Sequence, residues 1–139
     1  NSKDKRNKKI EELLATDEYV AWWTTRLSDL TGNNPRTLNL GGNTLRNSTT
    51  TIAKQWYNWI YERVAENKPY DEIVAGILVA QTLEGGQTYL EYSKQYTDEY
   101  REGNADDFAK RHTMPHYWAR RNLRQPEEKV MGFCYTFMG

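Results

Sequence analysis

Apolar residues recur along this chain at helical spacing, and nowhere in the strict alternation of a half-buried strand. Residues 3–16 read as a helix in which Ile10, Leu13 and Leu14 form a narrow stripe among Lys and Glu. Thr16 is placed to cap a second helix, with Asp17 and Glu18 in the first turn, where the helix dipole favours acids. Its predicted buried face is Tyr19, Trp22, Trp23, Leu27 and Leu30, and Gly32 ends it. Residues 32–50 carry turn chemistry at Gly32-Asn33-Asn34-Pro35 and Gly41-Gly42-Asn43, so they read as loop. The clearest helix covers about 50–66, where Ile52, Trp56, Trp59, Ile60, Arg63 and Val64 share one face. Asn67-Lys68-Pro69 closes it, because a residue before proline avoids the helical region. Asp71 and Glu72 open the next helix, with Ile73, Val74, Ile77 and Leu78 predicted as buried and Gly85-Gly86 as its stop. In 87–102, Tyr89, Tyr92, Tyr96 and Tyr100 step by three, four and four, which predicts a helix packed through its rings. Pro126, at a first helical position and followed by Glu127 and Glu128, starts the last helix. Its predicted buried stripe is Val130, Phe133, Cys134 and Phe137.

The pattern predicts an all-α fold: an irregular bundle of about five to seven helices with long loops and an aromatic-rich core. A length of 139 residues suits a single helical domain spanning 1–139. Composition sharpens this reading. Hydrophobic residues are only 37%, yet aromatics reach 13%, with five Trp and ten Tyr. Rings therefore replace much of the aliphatic core, and the composition argues against disorder, because disordered chains lack aromatics. Nineteen basic residues balance nineteen acidic ones, which argues against a nucleic-acid partner. No run approaches the roughly 18 apolar residues of a membrane span. The charged opening is no signal peptide, and the lack of an initiator Met makes Asn1 a processed or truncated start. An apolar run from Val130 to Met138 that stops at Gly139 reads as the cut edge of a larger protein; the alternative is a docked helix ending at its own glycine cap.

Candidate chemistry is sparse. His112 and His116 are the only histidines, and a spacing of four would present both to one metal on a helix. Pro115 between them disfavours that helix, and no third ligand is evident, so no metal site is expected. A general base at either histidine would lack a nucleophile or oxyanion device, so no catalytic residue is assigned and the chain reads as a non-enzyme. Lys110, Arg111, Arg120, Arg121 and Arg124 interleave with Tyr117 and Trp118, a pattern that can stack single-stranded nucleic acid. The acidic stretch 98–107 beside it favours a solvated, self-paired face instead. Trp22, Trp23, Tyr117 and Trp118 are candidates for a binding surface, while core packing is the simpler account for most of the tryptophans. Asn47-Ser48-Thr49 matches a glycosylation sequon, a short pattern common by chance. The lone Cys134 excludes an internal disulfide and reads as a small hydrophobe in the last helix.

Three segments carry a family resemblance. Residues 3–30 resemble an opening of the form Lys-Arg-x-x-x-Ile-Asp-x-Leu-Leu-x-Ser-x-Glu-Tyr-x-x-x-Trp. Asn67-Lys68-Pro69-Tyr70-Asp71-Glu72-Ile73-Val74, then Ile77-Leu78, is similar to Asn-Arg-Pro-Tyr-Asp-x-Phe-Val-x-x-x-Leu. Glu127-Glu128-Lys129-Val130 with Phe137-Met138-Gly139 resembles a closing helix that ends in Phe-Leu-Gly. The family is the cytochrome-like domain of unknown function found in large secreted planctomycete proteins. In it the closing segment runs into Val-Arg-x-Gln-Cys-x-x-Cys-His, the signature of covalent c-type haem attachment. The resemblance thus implies a periplasmic or extracellular protein in a redox, electron-transfer setting. It implies a c-type haem attached downstream and no cofactor in this fragment, with His112 and His116 as the weak candidates to approach that haem. The partners it implies are the rest of the same polypeptide and a redox partner. The residues themselves keep open a second reading, a carbohydrate- or protein-binding module that uses exposed aromatic faces on a polysaccharide or a protein.

Overall fold

The computed structural model describes residues 2–34, 46–81, 83, 85–94, 108–119 and 125–138. The fold is all-α. Helix α1 spans Ser2–Leu14, α2 Asp17–Thr31, α3 Arg46–Ala65 and α4 Tyr70–Leu78. Residues 89–94 are helical and form α5. A 3₁₀ turn, Phe108–Lys110, precedes the short α6, His116–Ala119. The last helix, α7, spans Pro126–Phe133 and widens into a π-helical turn, Cys134–Met138.

The caps follow from the residues at the ends. The Thr16 hydroxyl accepts from the Tyr19 amide at 3.3 Å. Gly32 takes the left-handed conformation, φ 80°, and the Asn33 amide returns to the Ser28 carbonyl at 2.8 Å, closing α2. Asn67 does the same for α3 at φ 52°, with the Lys68 amide on the Arg63 carbonyl. Thr88 and Glu91 form a reciprocal capping box at the start of α5. Its hydrogen bonds from Thr88 hold the Glu91 carboxyl below its usual range.

The core lies between α3, α4 and the segment 114–118. Trp56, Trp59 and Ile60 from α3, Ile73 and Ile77 from α4, and Met114 and Tyr117 are all buried. Tyr117 is the hub: its ring meets Trp56, Trp118 and Phe137 at centroid distances of 6.3, 4.9 and 5.6 Å. Its hydroxyl donates to the Gly132 carbonyl at 2.8 Å and contacts the Thr136 hydroxyl at 3.0 Å, docking the C-terminal turn.

Several sequence expectations are corrected. Helix α3 begins at Arg46, inside the stretch read as loop, and carries the sequon in its first turn. Helix α4 ends at Leu78, well before Gly85-Gly86. Two of its last-turn carbonyls, those of Gly76 and Ile77, are satisfied from distant parts of the chain. The Met114 amide donates to the Gly76 oxygen and Trp118 Nε1 to the Ile77 oxygen, each at 3.0 Å, so no further helical turn is needed there. Val74 and Leu78 are only half-buried. The buried face of α2 is Val20, Thr24, Ser28 and Thr31, while Trp22, Trp23 and Leu30 are exposed. Small side chains let α2 lie close on α3, where Asn33 Nδ2 donates to the Ala53 carbonyl at 2.9 Å. Val130 is exposed, while Phe133, Cys134 and Phe137 are half-buried. Tyr89 is exposed and Tyr92 half-buried, while Tyr96 and Tyr100 lie outside the described residues.

Candidate functional site

The most constrained polar group among the described residues is Arg63, on the apolar face of α3. Its guanidinium carbon sits 3.4 Å from the centroid of the Trp59 ring, a cation–π contact. One terminal nitrogen donates to the carbonyls of Trp59 and Ala109, at 3.0 and 3.1 Å, and the other to the carbonyl of Arg111. Trp59 Nε1 shares that Arg111 carbonyl at 3.0 Å. Burial pulls Arg63 down to about 10, against the opposing influence of Glu66 and Glu62, so it stays charged at neutral pH. Its planar fork ties 109–111 to α3, a role a lysine cannot reproduce. Gly76 makes the same packing possible from α4. A Cβ there would fall 2.8 Å from two Trp59 ring carbons and 3.1 Å from the His112 carbonyl.

Beside this clasp lies an open cleft of about 310 Å³, walled by Glu62, Arg63, Glu66 and Lys68 of α3 and the turn after it, Glu72 and Ile73 of α4, and Ala109, Lys110 and His112. Both signs of charge line it. Among the described residues no three His, Cys, Asp or Glu side chains converge as a metal site.

The two histidines have different fates. His112 is exposed at the cleft rim, before α6 begins. His116 opens α6, so the pair does not share a helical face, as Pro115 foretells. The His116 ring packs inward and its Nε2 donates to Oε1 of Gln55 at 3.1 Å. Burial, reinforced by Arg111, pulls His116 down to about 4, which leaves it neutral at pH 7.

The aromatic candidates also divide. Tyr117 is fully buried and therefore cannot form a binding surface; the sequence could not show that its hydroxyl had partners in Gly132 and Thr136. Trp118 is half-buried and held through Ile77. Trp22 and Trp23 are 53% and 41% exposed, their rings at 89° with centroids 5.0 Å apart. The Arg26 guanidinium lies 5.0 Å over Trp22. Sequence reasoning missed Arg63, Gly76 and Gln55 as structural determinants. The available signal was Arg63 itself, a charge in an otherwise apolar helical register.

These features define an all-α domain organised around a buried aromatic cluster and an arginine clasp. The whole chain, residues 1–139, matches the PSCyt2 family, described as a protein of unknown function (DUF1549), and it belongs to that family. No curated protein and no solved structure matches it.

Proposed function

We propose that this chain is a helical, non-catalytic domain of a secreted cytochrome c-like protein of planctomycete type, and that it walls a c-type haem attached by a segment beyond Gly139. The reading starts from the resemblance of Glu127–Val130 and Phe137-Met138-Gly139 to a closing helix that runs into Cys-x-x-Cys-His. The observation that carries it is the contrast within that segment. Tyr117 and Phe137 anchor it to the core, yet Met131, Tyr135 and Met138 remain exposed, Tyr135 by 79%. Fixed apolar side chains turned to solvent suit a flat hydrophobic neighbour.

In this reading the covalent attachment of the haem lies outside residues 1–139. Two thioether bonds need two cysteines, and Cys134 is the single one. His116 is committed to Gln55. The domain's contribution is thus an apolar wall that excludes water, with redox partnering a property of the whole periplasmic or extracellular protein. The test is a pyridine haemochrome spectrum of the full-length gene product, expected to show covalent c-type haem while residues 1–139 alone show none. A gene that lacks Cys-x-x-Cys-His after Gly139 would overturn the reading.

A second reading, a carbohydrate-binding module, is favoured by the exposed Trp22–Trp23 pair. Saturable binding of a glycan by residues 1–139 is its measurement, and silence across neutral and acidic polysaccharides removes it.

A further inference from the structure

We infer that the outer face of α2 is a subsite for a neutral pyranose, centred on Trp22. The inference rests on the second reading above and names its ligand class. Glu18, Trp22, Arg26 and Asp29 follow at steps of four, four and three, which aligns them along one stripe of α2. All four are exposed. Trp22 supplies an apolar platform, and Trp23 stands against it at 89° as a second wall. The Arg26 guanidinium rests over the platform, 5.0 Å from the ring centroid, and swings off the ring when a sugar stacks there; it is exposed, and no carboxylate lies within ion-pair distance of it among the described residues, so the move breaks only a weak cation–π contact. The opposite face of α2 is pinned to α3 through Thr24, Ser28 and Thr31, so the platform sits on a fixed element.

The charge pattern selects the ligand. Sugar hydroxyls donate and accept at once, and this stripe offers both kinds of partner, a guanidinium fork and two carboxylates. The CH face of a pyranose is apolar and fits an indole ring. A phosphate, an anionic lipid headgroup or a uronate would meet the Glu18 and Asp29 carboxylates at close quarters. Those neighbours favour an uncharged ligand.

The experiment is affinity electrophoresis of residues 1–139 in gels containing hydroxyethylcellulose, galactomannan, laminarin or polygalacturonate. Trp22→Ala, Arg26→Ala and Asp29→Asn are run beside the parent chain, and far-UV circular dichroism verifies each fold. The expected result is retardation by at least one neutral polymer, weakened roughly tenfold by Trp22→Ala, as for truncation of an anchoring aromatic. Arg26→Ala and Asp29→Asn weaken it less, and polygalacturonate does not retard. Neutral-polymer binding that survives Trp22→Ala unchanged overturns the site, and retardation by polygalacturonate alone overturns the ligand class; in both cases the binding-module reading stands. Absence of retardation by any of the four polymers overturns the inference and that reading together.

Discussion

Two pairs of tryptophans, each borne on a helix of ordinary amphipathic pattern, end in opposite environments. Trp56 and Trp59 of α3 are completely buried, while Trp22 and Trp23 of α2 face solvent. Around the α3 pair, Gly76 gives up its side chain, Arg63 lies across Trp59, and Tyr117 packs edge-on against Trp56. Around α2 the inward positions are Val20, Thr24, Ser28 and Thr31, small side chains that allow a close helix–helix approach. The difference teaches that an aromatic stripe at helical spacing identifies a face, while the partner surface decides whether that face is core. Helix α1 extends the contrast. Its side chains from Asp4 to Leu14 are all exposed, Ile10, Leu13 and Leu14 included.

The largest expected effect comes from Trp59→Ala. It removes a buried ring, an indole hydrogen bond and the seat of Arg63, and should cost about 3–5 kcal/mol in chemical denaturation. Next is the pH dependence from His116. Its folded pKa of about 4 lies below the unfolded 6.5, so the unfolded state binds the proton first. Stability from this group is therefore complete above pH 6.5, falls as the pH drops through that window, and is lost by about pH 4. The full loss is about 3 kcal/mol, and His116→Gln should flatten that part of the profile. A parallel slope in the variant would break the assignment.

Gly76→Ala sets a helix-propensity gain of up to about 1 kcal/mol against overpacking of about 1–3 kcal/mol, because its Cβ meets a rigid ring. The expected net loss is about 1 kcal/mol, smaller in a Trp59→Phe background that lacks the contacted atoms; equal losses in both backgrounds would contradict the contact. Thr24→Val should stabilise by about 1 kcal/mol. Thr24 Oγ1 is buried without a hydrogen-bond partner, and the isosteric methyl removes that cost. Trp22→Ala should change the unfolding free energy least, by no more than about 0.5 kcal/mol, as befits an exposed ring. A loss comparable to Trp59→Ala would erase the comparison.

Much of the helical order was legible in the chain because local signals are self-contained. Thr16 and Gly32 mark the ends of α2, Asn67-Lys68-Pro69 marks the end of α3, and Trp56, Trp59 and Ile60 were rightly placed in the core. What escaped depends on contacts distant in sequence. Helix α4 stops where Met114 and Trp118 reach its carbonyls, from residues some 40 positions away. Which face of α2 turns inward is decided by its packing on α3, a contact distant in sequence. The roles of Arg63, Gly76 and Gln55 exist only once 109–116 folds back over α3 and α4. The histidine pair was legible in part: Pro115 foretold that His112 and His116 do not share a helix, but nothing local foretold that His116 turns inward to Gln55.

The division of the tryptophans is best tested by ¹⁹F NMR of the 5-fluorotryptophan-labelled chain, with resonances assigned by single Trp→Phe replacements and compared in H₂O and D₂O. The account predicts clear solvent isotope shifts for Trp22 and Trp23 and none for Trp56 and Trp59. Solvent-sensitive resonances for Trp56 and Trp59, or protected ones for Trp22 and Trp23, would contradict it.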